Sequence, residues 1–250
     1  CVGHLLLRRR GRFPLFAALL LSAAMRTLLH TPLDPSSRAV RLALAEKNLT
    51  ARLVNVAPCP SNEELLGRNP AGLPPVLIDE PPTGGEIAVS PAPAITEYLE
   101  DAYGASSLMP STSAGRAETR RLVYWFETKF ESEVNAKLLR RKIDDRIEGR
   151  YRVELDLWRQ GLDRLCWHLD YLSFLLEGRA WLAGERMTLA DLHGAAHLSS
   201  TDYLGSVPWT DFPAVKEWYQ RMKCRPCFRP LLADRVEGVP PPAHYDDLDF

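Results

Sequence analysis

Residues 25–56 read MRTLLHTPLDPSSRAVRLALAEKNLTARLVNV, and this stretch decides the fold class. Its first apolar run, Met25–Thr31, stops at a proline and is typical of a short buried strand. Ser36 and Ser37 are suited to cap the helix that follows, because a serine hydroxyl can accept from a free amide of the first turn. A second strand is predicted over Ala51–Val56. Strand, helix and strand in this order indicate a small α/β domain.

The alternation continues downstream. Ser61 is followed three residues later by Glu64, a spacing that predicts a capping box and a short helix. Strands are predicted over Val76–Ile78 and Ile87–Val89, with a glycine pair between them, and a helix is predicted around residues 95–99. The resulting order is β-α-β-α-β-β-α.

The pattern becomes helical after residue 104. Apolar residues repeat every fourth position along one predicted helix: Leu122, Phe126, Phe130, Val134 and Leu138. A second stripe alternates steps of three and four: Leu155, Trp158, Leu162, Leu165, Leu169, Leu172 and Leu176. This second stripe is compatible with a coiled coil, but it spans only about three heptads. We therefore expect the central helix of an all-α domain, with later helices starting at Thr188 and near Pro213.

Composition and charge exclude several classes of protein. The chain has 250 residues, of which 46% are hydrophobic and 25% charged, which is typical of a globular domain and not of a disordered chain. Its formal net charge of -1 gives no general attraction to nucleic acid. Five scattered cysteines do not form a disulfide framework and fit a reducing compartment.

The first 24 residues differ from the rest. Four arginines precede an apolar stretch, Phe13–Ala24, in the order that is typical of a secretory signal. Met25 stands directly before the first predicted strand, as an initiator would. We expect residues 1–24 to be an upstream reading-frame extension and not part of the fold, with a signal peptide as the alternative.

Two motifs carry a family resemblance. Residues 69–77, NPAGLPPVL, resemble the pattern N-P-x-G-x-V-P-x-L, and residues 188–191, TLAD, resemble T-x-A-D. Both patterns occur in the glutathione transferase superfamily, in the same order along the chain. The resemblance implies that Pro75 forms a cis peptide bond. It also implies that Thr188 and Asp191 cap a helix of the second domain.

The resemblance implies a domain organisation as well. Residues 25–104 are expected to form a thioredoxin-like domain, and residues 105–235 an all-helical C-terminal domain. Residues 236–250 form an acidic, proline-rich tail. No cofactor and no metal are implied.

The glutathione site of the family is altered in this chain. Asp34 stands where a serine is common, and a carboxylate there would raise the pKa of a nearby thiol, which opposes activation. Pro91 and Ala92 replace the acidic residue and serine that hold the γ-glutamyl group in the family. We therefore expect a degraded glutathione site and no enzymatic activity. The alternative is a glutathione-dependent transferase or isomerase that uses the hydroxyl of Ser36 or Ser37.

A narrower resemblance covers residues 181–191, 202–205 and the C-terminal segments 226–232 and 243–250. These segments are similar to a group of alphaproteobacterial division proteins with the transferase fold. The resemblance implies a cytoplasmic, non-enzymatic homodimer at the division site that binds filaments of FtsZ and promotes constriction. It also implies contact between the tail and other divisome or cell-wall synthesis proteins.

Partner-binding residues are expected in two places. One is a basic stretch, which could meet an acidic filament: Lys137, Arg140, Arg141 and Lys142. The other is the tail, where aromatic and acidic side chains suit either a short linear motif or docking onto the chain itself: Tyr245, Asp246, Asp247 and Phe250. Solvated disorder is the alternative for this terminus.

Two further motifs are interpreted as structural. Cys224 and Cys227 form a CxxC pair, but it lies about 190 residues after the strand-helix junction where redox chemistry of this fold takes place. A redox protein is the third functional hypothesis. His193 and His197 are four residues apart beside Asp191, without the glutamate of a zinc motif, so a metal site is not expected.

Overall fold

The structure is a computed structural model, and it describes residues 25–56, 62–81, 84–104, 107–140, 142 and 154–249. The predicted extension, residues 1–24, lies outside this described part, as does Ser61.

Four strands form one mixed sheet, and their bounds are as follows: β1 (Met25–His30), β2 (Arg52–Asn55), β3 (Val76–Glu80) and β4 (Ile87–Val89). The strand order is β2-β1-β3-β4, with β1 parallel to β2 and antiparallel to β3, and with β4 antiparallel to β3. Leu28 pairs with Leu53 on one side and with Leu77 on the other. Leu28 and Leu77 are both fully buried, because apolar β1 and β3 form the middle of the sheet.

Three helices belong to the sheet domain: α1 (Pro35–Glu46), α2 (Glu63–Arg68) and α3 (Ala92–Ala102). The following domain consists of helices: α4 (Ser113–Tyr124), α5 (Trp125–Arg140), α6 (Leu155–Glu177), α7 (Leu189–Tyr203), α8 (Pro213–Lys223) and α9 (Arg229–Leu232). Short 3₁₀ turns occur at Trp209–Asp211, Pro226–Phe228 and Ala243–Asp246. The predicted order, an α/β domain followed by an all-helical one, is confirmed.

The predicted four-residue stripe lies along α4 and α5. All five of its apolar residues are fully buried. A strict four-residue repeat drifts around an α-helix, which has 3.6 residues per turn. α5 is wound as a π-helix, in which this drift has the opposite direction from that in an α-helix, and the stripe residues on α5 are all buried.

Two predicted helix caps are wrong. The N-cap of α1 is Asp34, whose carboxylate accepts from the amide of Ser37 at 2.8 Å, and not one of the serines. The N-cap of α2 is Asn62, whose side chain accepts from the amide of Leu65 at 3.1 Å. In both cases several capping residues stand side by side, so local sequence does not fix which one starts the helix.

The two domains pack against each other through α1 and α7. Every residue of α7 is buried, which suits a helix that is enclosed on all sides. Within the helical domain, Gly194 allows α7 to pack closely, since a Cβ there would lie 2.9 Å from atoms of Leu182 and Phe126. Between the domains, Ser199 of α7 accepts from Arg38 at 2.8 Å, and Ser200 donates to the carbonyl of Leu33 at 2.9 Å.

Within the described residues, no helix is long and apolar enough to cross a membrane.

Candidate functional site

A cavity of about 760 Å³ lies between the sheet domain and α5. Four of the predicted glutathione-site residues line it, namely Asp34, Ser36, Pro75 and Pro91. The segment from Arg235 to Glu237 contributes another part of its wall. Two other predicted residues, Ser37 and Ala92, are fully buried and do not line the cavity. The structure thus brings most of the predicted site together.

Asp34 is fixed at the edge of this cavity. One oxygen of its carboxylate caps α1, and the other lies 3.5 Å from Nη2 of Arg140. Burial raises the pKa of Asp34, and the guanidinium of Arg140 offsets only part of that effect. A carboxyl group at this position offers no hydroxyl or thiol for the activation of a substrate thiol.

The two serines at the start of α1 are both engaged. The hydroxyl of Ser36 donates to Oε2 of Glu127 at 2.6 Å. The hydroxyl oxygen of Ser37 accepts from the amide of Thr31 at 3.2 Å, and Ser37 has no exposed surface. A thiolate needs a hydroxyl proton that is free to be donated, and Ser36 gives its proton to a carboxylate.

Glu127 is a site residue that sequence reasoning missed. Its Oε1 atom accepts from Nδ1 of His193 at 2.7 Å and from Nε2 of His197 at 3.3 Å. Burial works to raise the pKa of Glu127, but the hydrogen bonds from the two histidines outweigh it and hold the pKa well below the ordinary value. Glu127 is therefore an anion that joins α1, α5 and α7. The only hint in the sequence is an acidic residue beside the apolar stripe of α5.

Glu131 lies one turn further along α5 and also lines the cavity. Its Oε1 atom accepts from Nε of Arg140 at 2.7 Å. Its Oε2 atom is buried and has no hydrogen-bond partner. Asp34, Glu127 and Glu131 together give the cavity an acidic wall, which disfavours a thiolate by like-charge repulsion.

Prolines form a second part of the wall. The peptide bonds Pro74–Pro75 and Ser90–Pro91 are both cis, so the expected geometry at Pro75 is confirmed. Pro74, which stands at the valine position of the family pattern, was not singled out from the sequence. Because proline has no N–H, Pro74, Pro75 and Pro91 offer only carbonyl acceptors to a ligand. An extended peptide that binds beside the cis bond therefore finds no backbone N–H donor at these prolines.

Thr188 and Asp191 form the capping box that the resemblance implied. The hydroxyl of Thr188 accepts from the amide of Ala190 at 3.2 Å, and the carboxylate of Asp191 accepts from the amide of Thr188 at 2.8 Å. Asp191 also accepts from Nε1 of Trp218 at 3.0 Å. This pair therefore supports the start of α7.

The CxxC pair lies at the end of α8, and neither cysteine lines the cavity. Cys227 is buried in a 3₁₀ turn, and Cys224 is exposed. Burial, with a smaller contribution from Glu46, raises the pKa of the Cys227 thiol to about 12. A thiol of this kind does not form the thiolate that redox exchange requires, so the geometry counts against a redox protein.

No group of side chains within the described residues is arranged to hold a metal ion. His193 and His197 instead direct nitrogen atoms to Glu127. The other nitrogen of His197, Nδ1, lies 2.9 Å from the side-chain nitrogen of Asn135.

The predicted basic stretch is only partly a solvated face. Arg140 binds Glu131 and Asp34, and Nζ of Lys142 lies 5.6 Å from the centre of the Trp158 ring. Lys137 is half-buried on α5, and Arg141 lies outside the described residues. Arg140 thus contributes to the cavity wall, but 41% of its side chain is exposed, and its contact with a partner stays a prediction.

The tail is docked on the chain. Tyr245 has no exposed surface, and its hydroxyl accepts from Arg38 at 2.9 Å, so docking onto the chain, one of the two alternatives, is correct for Tyr245, and contact with a partner is wrong. The backbone carbonyl of Asp247 accepts from Nζ of Lys223 at 2.5 Å. Asp246 is exposed and pairs with Arg235 at 2.6 Å. Phe250 lies outside the described part of the chain.

Comparison with known proteins extends this picture. Residues 35–102 match the glutathione S-transferase N-terminal domain, and residues 165–226 match the glutathione S-transferase C-terminal domain. The chain is 48% identical over 225 residues to FtsZ-localized protein A of Caulobacter vibrioides, covering 90% of this chain and 98% of that protein.

Two solved structures are similar over the same range. FzlA from C. crescentus superimposes with a TM-score of 0.87 at 48% identity, covering 90% of this chain and all of the other. A glutathione S-transferase from Rhodospirillum rubrum superimposes with a TM-score of 0.85 at 44% identity, with the same coverage. One assignment follows from the mixed-sheet domain, the all-helical domain and the two family matches. The chain belongs to the glutathione S-transferase family.

Proposed function

We propose that this chain is a non-catalytic cell-division protein that binds FtsZ filaments and promotes constriction. The observation that carries the non-catalytic part is the hydrogen bond between Ser36 and Glu127. It commits the serine at the mouth of the cavity to a carboxylate. The division role is supported by the similarity to FtsZ-localized protein A over nearly its whole length.

The chemistry of the cavity supports the loss of glutathione binding. Glutathione carries two carboxylates, an ammonium group and a thiol. Asp34, Glu127 and Glu131 disfavour its carboxylates and the thiolate form of its thiol, and the prolines beside them have no N–H to donate. A ligand of this charge would have to displace protein ion pairs in order to be held.

In this proposal the protein is a cytoplasmic homodimer that acts at the division site. The surface that meets the filament includes Lys137 and Lys142, which lie at the C-terminal end of the helix formed by α4 and α5. Cations at that end, with Lys142 exposed and Lys137 half-buried, suit an acidic partner. Asp246 and Asp247 are exposed, and in this proposal their side chains meet other divisome proteins, where a partner would compete with Arg235 for Asp246.

Co-sedimentation with FtsZ assembled with GTP tests the proposal. The full chain is expected in the pellet with filaments, and less of it as the salt concentration rises, because screening weakens charge pairing. The double variant Lys137→Glu, Lys142→Glu is expected to pellet less, while the control Arg186→Glu, an exposed charge before α7, is expected to pellet normally. Absence of the wild-type chain from the pellet at every salt concentration would refute FtsZ binding.

A glutathione-dependent transferase is the second candidate. It is favoured by relatives that carry the name, such as the structure from Rhodospirillum rubrum. This function requires retention on immobilised glutathione and thiol conjugation that is lost in Ser36→Ala or Ser37→Ala. If the chain passes through the resin and conjugates no thiol, this candidate is excluded.

A further inference from the structure

The segment that follows α9 takes part in two places of the fold at once. Residues 235–237 form part of the cavity wall. Further along the same segment, Tyr245 is fully buried and bonded to Arg38. We propose that residues 235–247 form a strap that opens as one unit, so that the cavity loses this part of its wall whenever the tail leaves its dock.

The base of the strap is fixed. Asp234, the residue before it, accepts from Nη2 of Arg38 at 3.1 Å and from Nη1 of Arg41 at 2.7 Å. Both arginines are buried on α1, and to separate a carboxylate from two buried guanidinium groups is costly. An opening motion therefore begins after Asp234.

The strap itself buries little of its surface. Of the described residues from 235 to 249, two are buried, namely Val239 and Tyr245. Gly238 turns the chain with a positive φ of 72°, and a β-bridge joins Val236 to Val239. Segments with few buried apolar contacts open at a lower free energy than the core does. The strap can therefore leave the fold while α1 and α7 stay in place.

Two contacts make the wall and the tail move together. The hydroxyl of Tyr203 on α7 accepts from the amide of Val236 at 2.9 Å and donates to the carbonyl of Val239 at 2.7 Å. The carboxylate of Asp246 accepts from Arg235 at 2.6 Å, so a tail residue is paired directly with a wall residue. Both side chains of this pair are about half exposed, and exposed ion pairs are weak. A partner that binds Asp246 therefore also takes a carboxylate away from Arg235.

The far end of the strap is held by Lys223 of α8. Its Nζ atom is buried and donates to the carbonyls of His244 at 3.4 Å and of Asp247 at 2.5 Å. The Nε2 atom of His244 lies 2.9 Å from the buried carboxylate of Asp202. Hydrogen bonds from a charged donor are stronger than neutral ones, so Lys223 is the contact that keeps the strap closed. Capture of the tail by a partner rests on the proposed function, but the opening of the strap does not, and either can fail without the other.

Hydrogen exchange of the full chain, followed by mass spectrometry, tests the inference with peptides that separate residues 235–239 from residues 243–249. Both peptides are expected to exchange at one rate, faster than α7. Lys223→Met is expected to speed exchange in both peptides about tenfold, the size of one charge-assisted hydrogen bond, with β1 and α7 unchanged. Asp246→Asn is expected to speed both about twofold to threefold. The matched control is Asp249→Asn, an exposed acidic residue of the same tail, which should exchange like the wild type.

Three results would overturn the inference: faster exchange confined to residues 243–249 in the variants, unchanged exchange in both Lys223→Met and Asp246→Asn, or an equal effect of Asp249→Asn. The first would show a tail that frays while the cavity wall stays closed. Asp246 is exposed, so its variant decides the question if Lys223→Met does not fold or exchanges faster throughout the chain.

Discussion

The guanidinium of Arg38 and the hydroxyl of Tyr245 lie 2.9 Å apart, although the two residues are 207 positions apart in the sequence. Arg38 is fully buried on α1 and also donates to Ser199 of α7 at 2.8 Å and to Asp234 at 3.1 Å. One side chain thus joins the sheet domain, the helical domain and the C-terminal segment. The tail of this protein is part of its folded core.

Removal of the Tyr245 hydroxyl tests this anchor. Tyr245→Phe keeps the packing but deletes an acceptor for a buried guanidinium and the donor to the carbonyl of Leu231 at 3.3 Å. We expect a loss of about 1–3 kcal/mol in the free energy of unfolding, measured by urea denaturation. The control is Tyr124→Phe, whose side chain is 70% exposed and should cost almost nothing. Equal stability of the two variants would show that the contact contributes nothing.

Gly194 provides a test of the packing of α7 within the helical domain. In Gly194→Ala the new methyl group would lie 2.9 Å from the ring of Phe126 and from Leu182, both fully buried. We expect a destabilisation of about 1–3 kcal/mol, because neither neighbour has room to move. Gly67→Ala in α2, where nothing lies within 4 Å, should be neutral or stabilising by up to about 1 kcal/mol. The thermal midpoint of Gly194→Ala should therefore fall below that of the wild type, and the midpoint of Gly67→Ala should stay the same or rise.

The buried ring of His168 should make the protein less stable to unfolding in acid. Its Nδ1 atom accepts from Nε1 of Trp125 at 3.1 Å, and this contact requires a neutral ring. Burial lowers the pKa of His168 to about 4, and burial lowers the pKa of His30 to about 4 as well. In the unfolded chain both titrate near pH 6.5, so the unfolded state binds more protons between pH 6.5 and 4.

The free energy of unfolding should therefore fall as the pH falls through this window, by about 3 kcal/mol per histidine at its lower end. Urea midpoints at a series of pH values check this, and His168→Gln should flatten the curve. The lowered pKa of Glu127 has the same effect on stability. Below the pKa that this carboxyl group has in the unfolded chain, the unfolded state binds more protons than the folded state, so the free energy of unfolding falls further as the pH falls. A flat profile from pH 7 to 4 would contradict the assignment of neutral buried rings.

The two cysteines of the CxxC pair should differ in reactivity. The pKa of Cys227 is raised to about 12 by burial, so its thiol should resist alkylation in the native protein at pH 8. Cys224 is exposed and should react within minutes. Mass spectrometry after iodoacetamide treatment measures both, with the urea-unfolded chain as control. Rapid labelling of both thiols in the native state would revive the redox hypothesis.

Local signals in the sequence account for the parts of the fold that were predicted well. The strand-helix alternation of residues 25–56 and the buried stripe of α4 and α5 follow from hydrophobic periodicity, which a short window reveals. The capping box of Thr188 and Asp191 spans four positions, so sequence alone can locate it.

Long-range contacts account for what was missed. Glu127 meets Ser36 across 91 positions, and a glutamate on a helix usually indicates a solvated face. For Tyr245 the sequence left a partner and the chain itself as alternatives, because a terminal aromatic residue has no local signal that decides between them. The Asp34 cap was missed because Asp34, Ser36 and Ser37 all favour that role, and only the path of the chain at the cavity decides between them.

The central claim is that the family's ligand cavity is retained in shape and changed in chemistry. Calorimetric titration of glutathione into the full chain tests it most directly. The account predicts no saturable binding at millimolar glutathione, and none in Ser36→Ala either. A one-site isotherm with a micromolar dissociation constant, weakened by Ser36→Ala, would contradict it.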